Sequence, residues 1–348
     1  MCIGSHYAVR THALAAVGGL GPDLAEDHSS TLMLNAGGWR GVHALDAMAI
    51  GDGPTSVADM AIQEFQWSRS LVTLLLRHTP RHLAALPWRL RAQFLFCQLL
   101  YPLIAATMLA FYLLPIAAVV FDLRYAHVAY PAFLAHVMPP MGVMLVLTVA
   151  LRRDGLFRPV EAPIVSWEKL LFVLLQWPWV LWGCVMALRD RLTGGFVDFR
   201  ITPKGTAARD HLPVIIPAVY GALALGAILP VLVAGGLEQG GGFLLLTLLT
   251  GALYAVAVAV IVLRHLAEAG PPAALRQPVA PAYLALPAAL FAALAGAAGA
   301  RGLEGLHVLT LGLEPVQVVR VEVPISGAGR DASGRYLYRF TFNWRGRP

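Results

Sequence analysis

A chain of 348 residues with 58% apolar and only 13% charged side chains, and a formal net charge of +6, lies far from soluble proteins, which carry about 25% charged residues. With a mean hydropathy of +0.66, it reads as an α-helical integral membrane protein rather than a soluble domain. Three cysteines, Cys2, Cys97 and Cys184, give no disulfide or zinc framework, and the 11 histidines fall into no ligand spacing, so no metal site is expected.

The amino-terminal text "MCIGSHYAVRTHALAAVGGL" carries His6, Arg10 and His12 and lacks the apolar centre of a signal peptide. Residues 1–60 mix Gly-rich turns, a helical stretch after Glu26 and Asp27, and a strand-like "GVHAL" at 41–45. So short a polar head cannot build a large core alone and reads as the end of a domain. On the residues alone, Glu26 and Asp27 read first as acids favouring a helix amino terminus. His6, His12 and His28 read as structural.

Residues 61–91 form amphipathic helices for a membrane surface. In "QEFQWSRS", Gln63, Gln66, Trp67 and Ser70 follow i, i+3, i+4 and i+7 spacing and share one helical face. Ile62, Phe65, Val72 and Leu76 form another.

Residues 92–300 carry runs without any Asp, Glu, Lys or Arg at 92–121, 125–151, 170–188, 212–237, 239–263 and 277–300. Each approaches or exceeds the roughly 20 residues that span a bilayer core. Clusters at Arg69, Arg77, Arg81, Arg89 and Arg91, at Arg152, Arg153, Arg158 and Lys169, and at Arg189, Arg191, Arg200, Lys204 and Arg209 all belong inside by the positive-inside bias. A span at 170–188 would put two of them on opposite sides. That run holds Trp177, Trp179, Trp182 and a Pro178 break, so 164–188 is expected to be an interfacial helix. The loop 189–211 is then cytoplasmic, and five spans remain. Residues 301–348 alternate around "SGAGRDASG" and read as a small β-hairpin unit.

Four segments in order, "CIGSHYAVRTHALAAVGGL", "AEDHSSTLMLNAGGWRG", "QEFQW" and "FRITPKG", resemble processive family 2 glycosyltransferases of the cellulose synthase type, which are similar to hyaluronan and chitin synthases. The resemblance covers residues 2–265. It implies the carboxy-terminal remnant of a GT-A (α/β) glycosyltransferase domain, followed by interfacial helices and about five transmembrane helices in the cell's inner (plasma) membrane.

By that resemblance Asp27, with Glu26 beside it, is the general base that deprotonates the acceptor hydroxyl. Such bases contribute roughly 10² to 10⁴ in rate. Ala25 stands where the family usually has Thr. Gln63, Gln66 and Trp67 match the acceptor-binding Gln-x-x-Arg-Trp motif, with Gln66 in place of the Arg that meets a donor diphosphate. Cys2 matches the segment near the acceptor terminus. Phe199, Thr202 and Lys204 match the gating loop that closes over the nucleotide; closure excludes water from the donor.

The implied partners are the lipid bilayer, a UDP-sugar donor and a growing polysaccharide acceptor; no nucleic acid is expected. Mg2+ or Mn2+ is expected for the complete enzyme, with ligands outside this chain, since the sequence has no Asp-x-Asp. The donor half is expected upstream of Met1 or on a separate chain. The alternative is a non-catalytic membrane subunit or a polysaccharide channel remnant.

Overall fold

The computed structural model describes residues 4, 6–21, 25–44, 47, 49, 51, 53–126, 128–157, 161–195, 212–269, 280–311, 316–323 and 335–342. The chain divides into two compact units, Met1–Ala110 with Lys169–Ile216, and Phe111–Glu168 with Pro217–Pro348.

The first unit begins with two short helices, α1 (Thr11–Ala16) and α2 (Glu26–Ala36). Next come α3 (Val57–Arg77), the single turn α4 (Thr79–Leu83) and the start of α5 (Trp88–Val120). Most of α7 (Trp167–Thr193) also belongs here. Ser56 caps α3: its Oγ accepts the Asp59 amide at 3.1 Å and donates to the Asp59 carboxylate at 2.6 Å. Leu32, Leu86 and Phe94 form a small apolar core between α2 and α5. Gly41 to Ala44 form no strand, so the expected strand at 41–45 is corrected: among the described residues no neighbouring strand is present to pair with it.

α3 is buried on more than one side, including Gln66 and Ser70 of the polar face expected from its spacing. Asp59, Glu64, Gln66, Ser68, Ser70 and Thr73 are all buried, whereas Trp67 is 49% exposed. Burial of so polar a helix is possible because its hydroxyls are satisfied locally. Ser68 donates to the Glu64 carbonyl (2.7 Å), Ser70 to that of Gln66 (2.6 Å) and Thr73 to that of Arg69 (2.8 Å). Gly183 brings α7 against this segment: a Cβ there would lie 2.6 Å from the Phe65 carbonyl oxygen and closer still to Ser68 Oγ. Farther along, Arg69 donates twice to Asp190 Oδ2, at 2.8 and 2.5 Å, and Arg77 donates to the Asp190 carbonyl at 2.6 Å.

The second unit contains the end of α5, α6 (Tyr130–Arg153), α8 (Ile215–Val233), a 3-10 turn (Gly240–Phe243), α9 (Leu244–Ala269) and α10 (Ala280–Thr310). It ends in the expected hairpin. β1 (Val316–Val323) runs antiparallel to β2 (Arg335–Phe342), with Val316 opposite Phe342 and Val323 opposite Arg335. Val318 ties the hairpin to α10, donating its amide to Thr310 Oγ1 at 2.9 Å and accepting from the His307 ring. Gly251 lets α9 approach α8 at Ile228, and Tyr112 donates to the Leu223 carbonyl at 2.9 Å. Asp122, at φ 49°, accepts three backbone amides, from Glu238, Gln239 and Gly240. These bonds hold its carboxyl below the usual range, the Gly240 amide most strongly.

Among the described residues six helices, α5 to α10, are long and apolar enough to cross a membrane. Five spans were expected, and α7, expected at the interface, also has the length and composition to cross. It runs unbroken through Pro178 for 27 residues, about 40 Å at 1.5 Å per residue, more than the roughly 30 Å hydrocarbon core. Proline is tolerated in such helices where neighbouring groups satisfy the freed backbone. No residue of α6 is buried although the helix is apolar on all sides, a surface suited to lipid.

Candidate functional site

A concavity of the first unit lies along α2. α2 starts without a side-chain cap, because Ala25 offers no oxygen, and its first turn carries Glu26 and Asp27. Asp27 Oδ1 accepts the His28 amide at 2.8 Å, so the helix-start role of the acid is realised. Its other oxygen faces Gly4, where a Cβ would sit 3.2 Å from Asp27 Oδ2. Glu26 accepts the Tyr7 hydroxyl at 3.0 Å. Both acids are half-buried.

Behind Asp27 runs a buried polar chain. Thr79 donates to Gln98 Oε1 at 2.9 Å, which fixes the orientation of that amide, and Gln98 Nε2 contacts His28 Nε2 at 3.1 Å. An amide nitrogen only donates, so His28 Nε2 accepts and the ring proton resides on Nδ1. Burial pushes the His28 pKa down, against the opposing pull of the Asp27 charge. A neutral imidazole packed edge-on to Phe94, with ring centroids 5.2 Å apart, therefore backs the first turn of α2.

A cavity of about 810 Å³ opens beside these groups, lined among others by Tyr7, Arg10, Thr31, Asn35, Trp39 and Arg40. Thr31 donates to the Asp27 carbonyl at 2.7 Å, so this wall lies one helical turn from the carboxylate.

The expected acceptor residues of α3 are not presented together. Trp67 is exposed, Gln63 is half-buried, and Gln66 is 5% exposed with its Oε1 meeting no hydrogen-bond partner. Arg69 is held by Asp190, in an ion pair whose acid is 2% exposed. Cys2, Phe199, Thr202 and Lys204, and with them the "FRITPKG" segment, lie outside the described residues. Among the described residues no three His, Cys, Asp or Glu side chains converge to hold a metal ion, so the Mg2+ or Mn2+ of a complete enzyme has no fitting donor set here, and no step is derived through it.

Glu64, which the sequence reading passed over, is the most perturbed acid of the unit. It is 2% exposed, its Oε2 has no hydrogen-bond partner, and burial raises its pKa to about 7. Nothing in its i, i+3, i+4 spacing separated it from a solvated charge. Gly183 did carry a signal, as a small residue within a bulky Trp-rich run, where close helix approach is the usual reason.

Fold and site define a helical, multi-pass membrane protein with a polar head, in which a cavity lies one helical turn from the acid pair Glu26 and Asp27. Comparison with known protein families, curated proteins and solved structures returned no match to this chain.

Proposed function

We propose that this chain is the acceptor and channel side of a membrane-bound glycosyltransferase. It moves a sugar from a UDP-sugar to a growing polysaccharide and passes the polymer across the membrane. The observation that carries the reading is the meeting of Gly4 with the Asp27 carboxylate. Gly4 belongs to the segment "CIGS" and Asp27 to "AED", two stretches that resemble the synthases, and Gly4 and Asp27 meet although 23 positions apart, near a cavity of about 810 Å³. Asp27 takes the proton of an acceptor hydroxyl, which is a poor nucleophile until a carboxylate receives it. One carboxylate oxygen is anchored by the His28 amide, leaving the other for the proton. Gating-loop and nucleotide roles for Phe199, Thr202 and Lys204, and acceptor roles for Cys2, Gln63 and Trp67, belong to the same proposal.

The test is UDP release from UDP-sugars by native membranes containing the protein. Asp27→Asn is expected to reduce turnover by about 10² or more while leaving the protein in the membrane. Turnover unchanged in this variant would remove Asp27 as base.

A second reading, a non-catalytic subunit or channel remnant, is favoured by Gln66. The residue standing where a diphosphate-binding Arg is expected is neutral and buried. Native protein that releases no UDP from any UDP-sugar, alone or with a co-purifying chain, supports that reading.

A further inference from the structure

We infer that the groove along α2 binds an anionic saccharide, gripped at its carboxylate or phosphate by Arg10 and Arg40 and stacked through its ring on Trp39. The inference rests on the glycosyltransferase reading only in making this saccharide the acceptor; the groove itself stands on its own geometry.

Two cavities adjoin there. The larger, of about 810 Å³, and a smaller one of about 170 Å³ share Thr31, Asn35 and Gly41 as a common wall. Among the described residues lining the larger cavity there are two cations, Arg10 and Arg40, and no acid. The guanidinium groups of Arg10 and Arg40 form no hydrogen bond or ion pair with another described residue, so their planar forks are open to a ligand oxyanion.

The remaining chemistry decides against a bare anion. Trp39 is half-buried and braced by His12, which packs edge-on at 5.0 Å and 71°, leaving an indole suited to the C–H face of a sugar. Asn35 offers both amide donors and a carbonyl to ring hydroxyls, and Gln93 continues the polar lining into the smaller cavity. A neutral sugar would leave the two arginines unanswered, and inorganic phosphate would leave Trp39 and Asn35 unused. Because Thr31 lies one turn beyond Asp27, a saccharide in this groove would extend away from the carboxylate along the helix.

The experiment is equilibrium binding of a fluorescent oligosaccharide containing uronate residues to the full chain in neutral detergent. A neutral cello-oligosaccharide, inorganic phosphate and vesicles of anionic phospholipid serve as competitors. The expected result is saturable binding, weakened by at least about tenfold in Arg10→Gln/Arg40→Gln and by raised salt. The neutral oligosaccharide should compete at least about tenfold less well. Equal competition by the neutral sugar, equal competition by phosphate or lipid, unchanged affinity in the double variant, or no binding each overturns the inference. Asp27→Asn keeps this binding even where it removes UDP release. Binding without any transferase activity therefore refutes the proposed function alone.

Discussion

Replacing Glu64 by Gln should make the protein more stable above neutrality and leave it nearly unchanged in acid. Glu64 is buried on α3 with Oε2 unpartnered, and burial raises its pKa from 4.5 to about 7. For a carboxyl raised in the folded state, the stability contribution is fully present below the ordinary value and is lost as pH rises through the folded value. The window is therefore about pH 4.5 to 7, and above it the loss reaches about 3 kcal/mol at about 1.4 kcal/mol per pH unit. Glutamine has nearly the same shape and no charge, so Glu64→Gln removes that loss. Thermal or denaturant unfolding in detergent at pH 5 and pH 8 measures it. The variant should exceed the wild type by about 3 kcal/mol at pH 8 and match it within about 1 kcal/mol at pH 5. His28 has its pKa lowered, so its contribution is lost in the opposite direction, as pH falls below 6.5. That change is common to both proteins and cancels in the difference. An equal difference at the two pH values would refute the reasoning.

Gly183→Ala places a Cβ 2.6 Å from the Phe65 carbonyl oxygen, a backbone atom that cannot swing aside. A loss of about 1–3 kcal/mol is expected in the same unfolding assay, from forced separation of α3 and α7. Arg69→Met strands Asp190, which is 2% exposed, and should cost about 3–5 kcal/mol. Arg69→Met/Asp190→Leu should recover most of it, because an apolar pair replaces the ions; a double variant as unstable as the single one would show that the charges themselves hold the helices.

The membrane character was open to reading because bilayer solvation acts on composition, and uninterrupted apolar runs at 92–121 or 239–263 leave a helix as the way to satisfy their backbone. The hairpin was legible for a related reason: "VQVVRVEV" and "RYLYRFTF" alternate with period two on either side of the Gly-rich text "SGAGRDASG", and β1 and β2 follow those letters. In the polar head, "AEDHSST" did begin a helix, but "GVHAL" did not form a strand. Strand propensity is realised only where a partner exists, and local sequence does not report partners. The interfacial placement of α7 came from charge, and its length and composition also admit a span. Flanking cations argue for the side of a helix end, whereas the length of α7 and its passage through Pro178 depend on packing that the charges do not encode.

The site divides along the same line. Asp27 could be singled out because its segment resembles a catalytic one, and its position at a helix start is set by local chemistry. The spacing of Gln63, Gln66, Trp67 and Ser70 gives their mutual angles on α3 and nothing about which angle meets water. α7 covers the Ser68 side at Gly183, and other contacts bury Gln66 and Ser70, so the polar face drawn from the wheel is split: Trp67 is exposed and Gln63 half-buried. If an acceptor sugar meets α3 at all, it meets the indole of Trp67 rather than an amide row. The hydrogen-bonding surface for its hydroxyls must then come from elsewhere in the unit. Asn35 and Gln93, in the adjoining cavities along α2, have the required chemistry, and they lie on the wall that begins one turn from the Asp27 carboxylate. On this account the base and the sugar-binding surface are built on one helix and its neighbours, and Gln66 serves packing within α3.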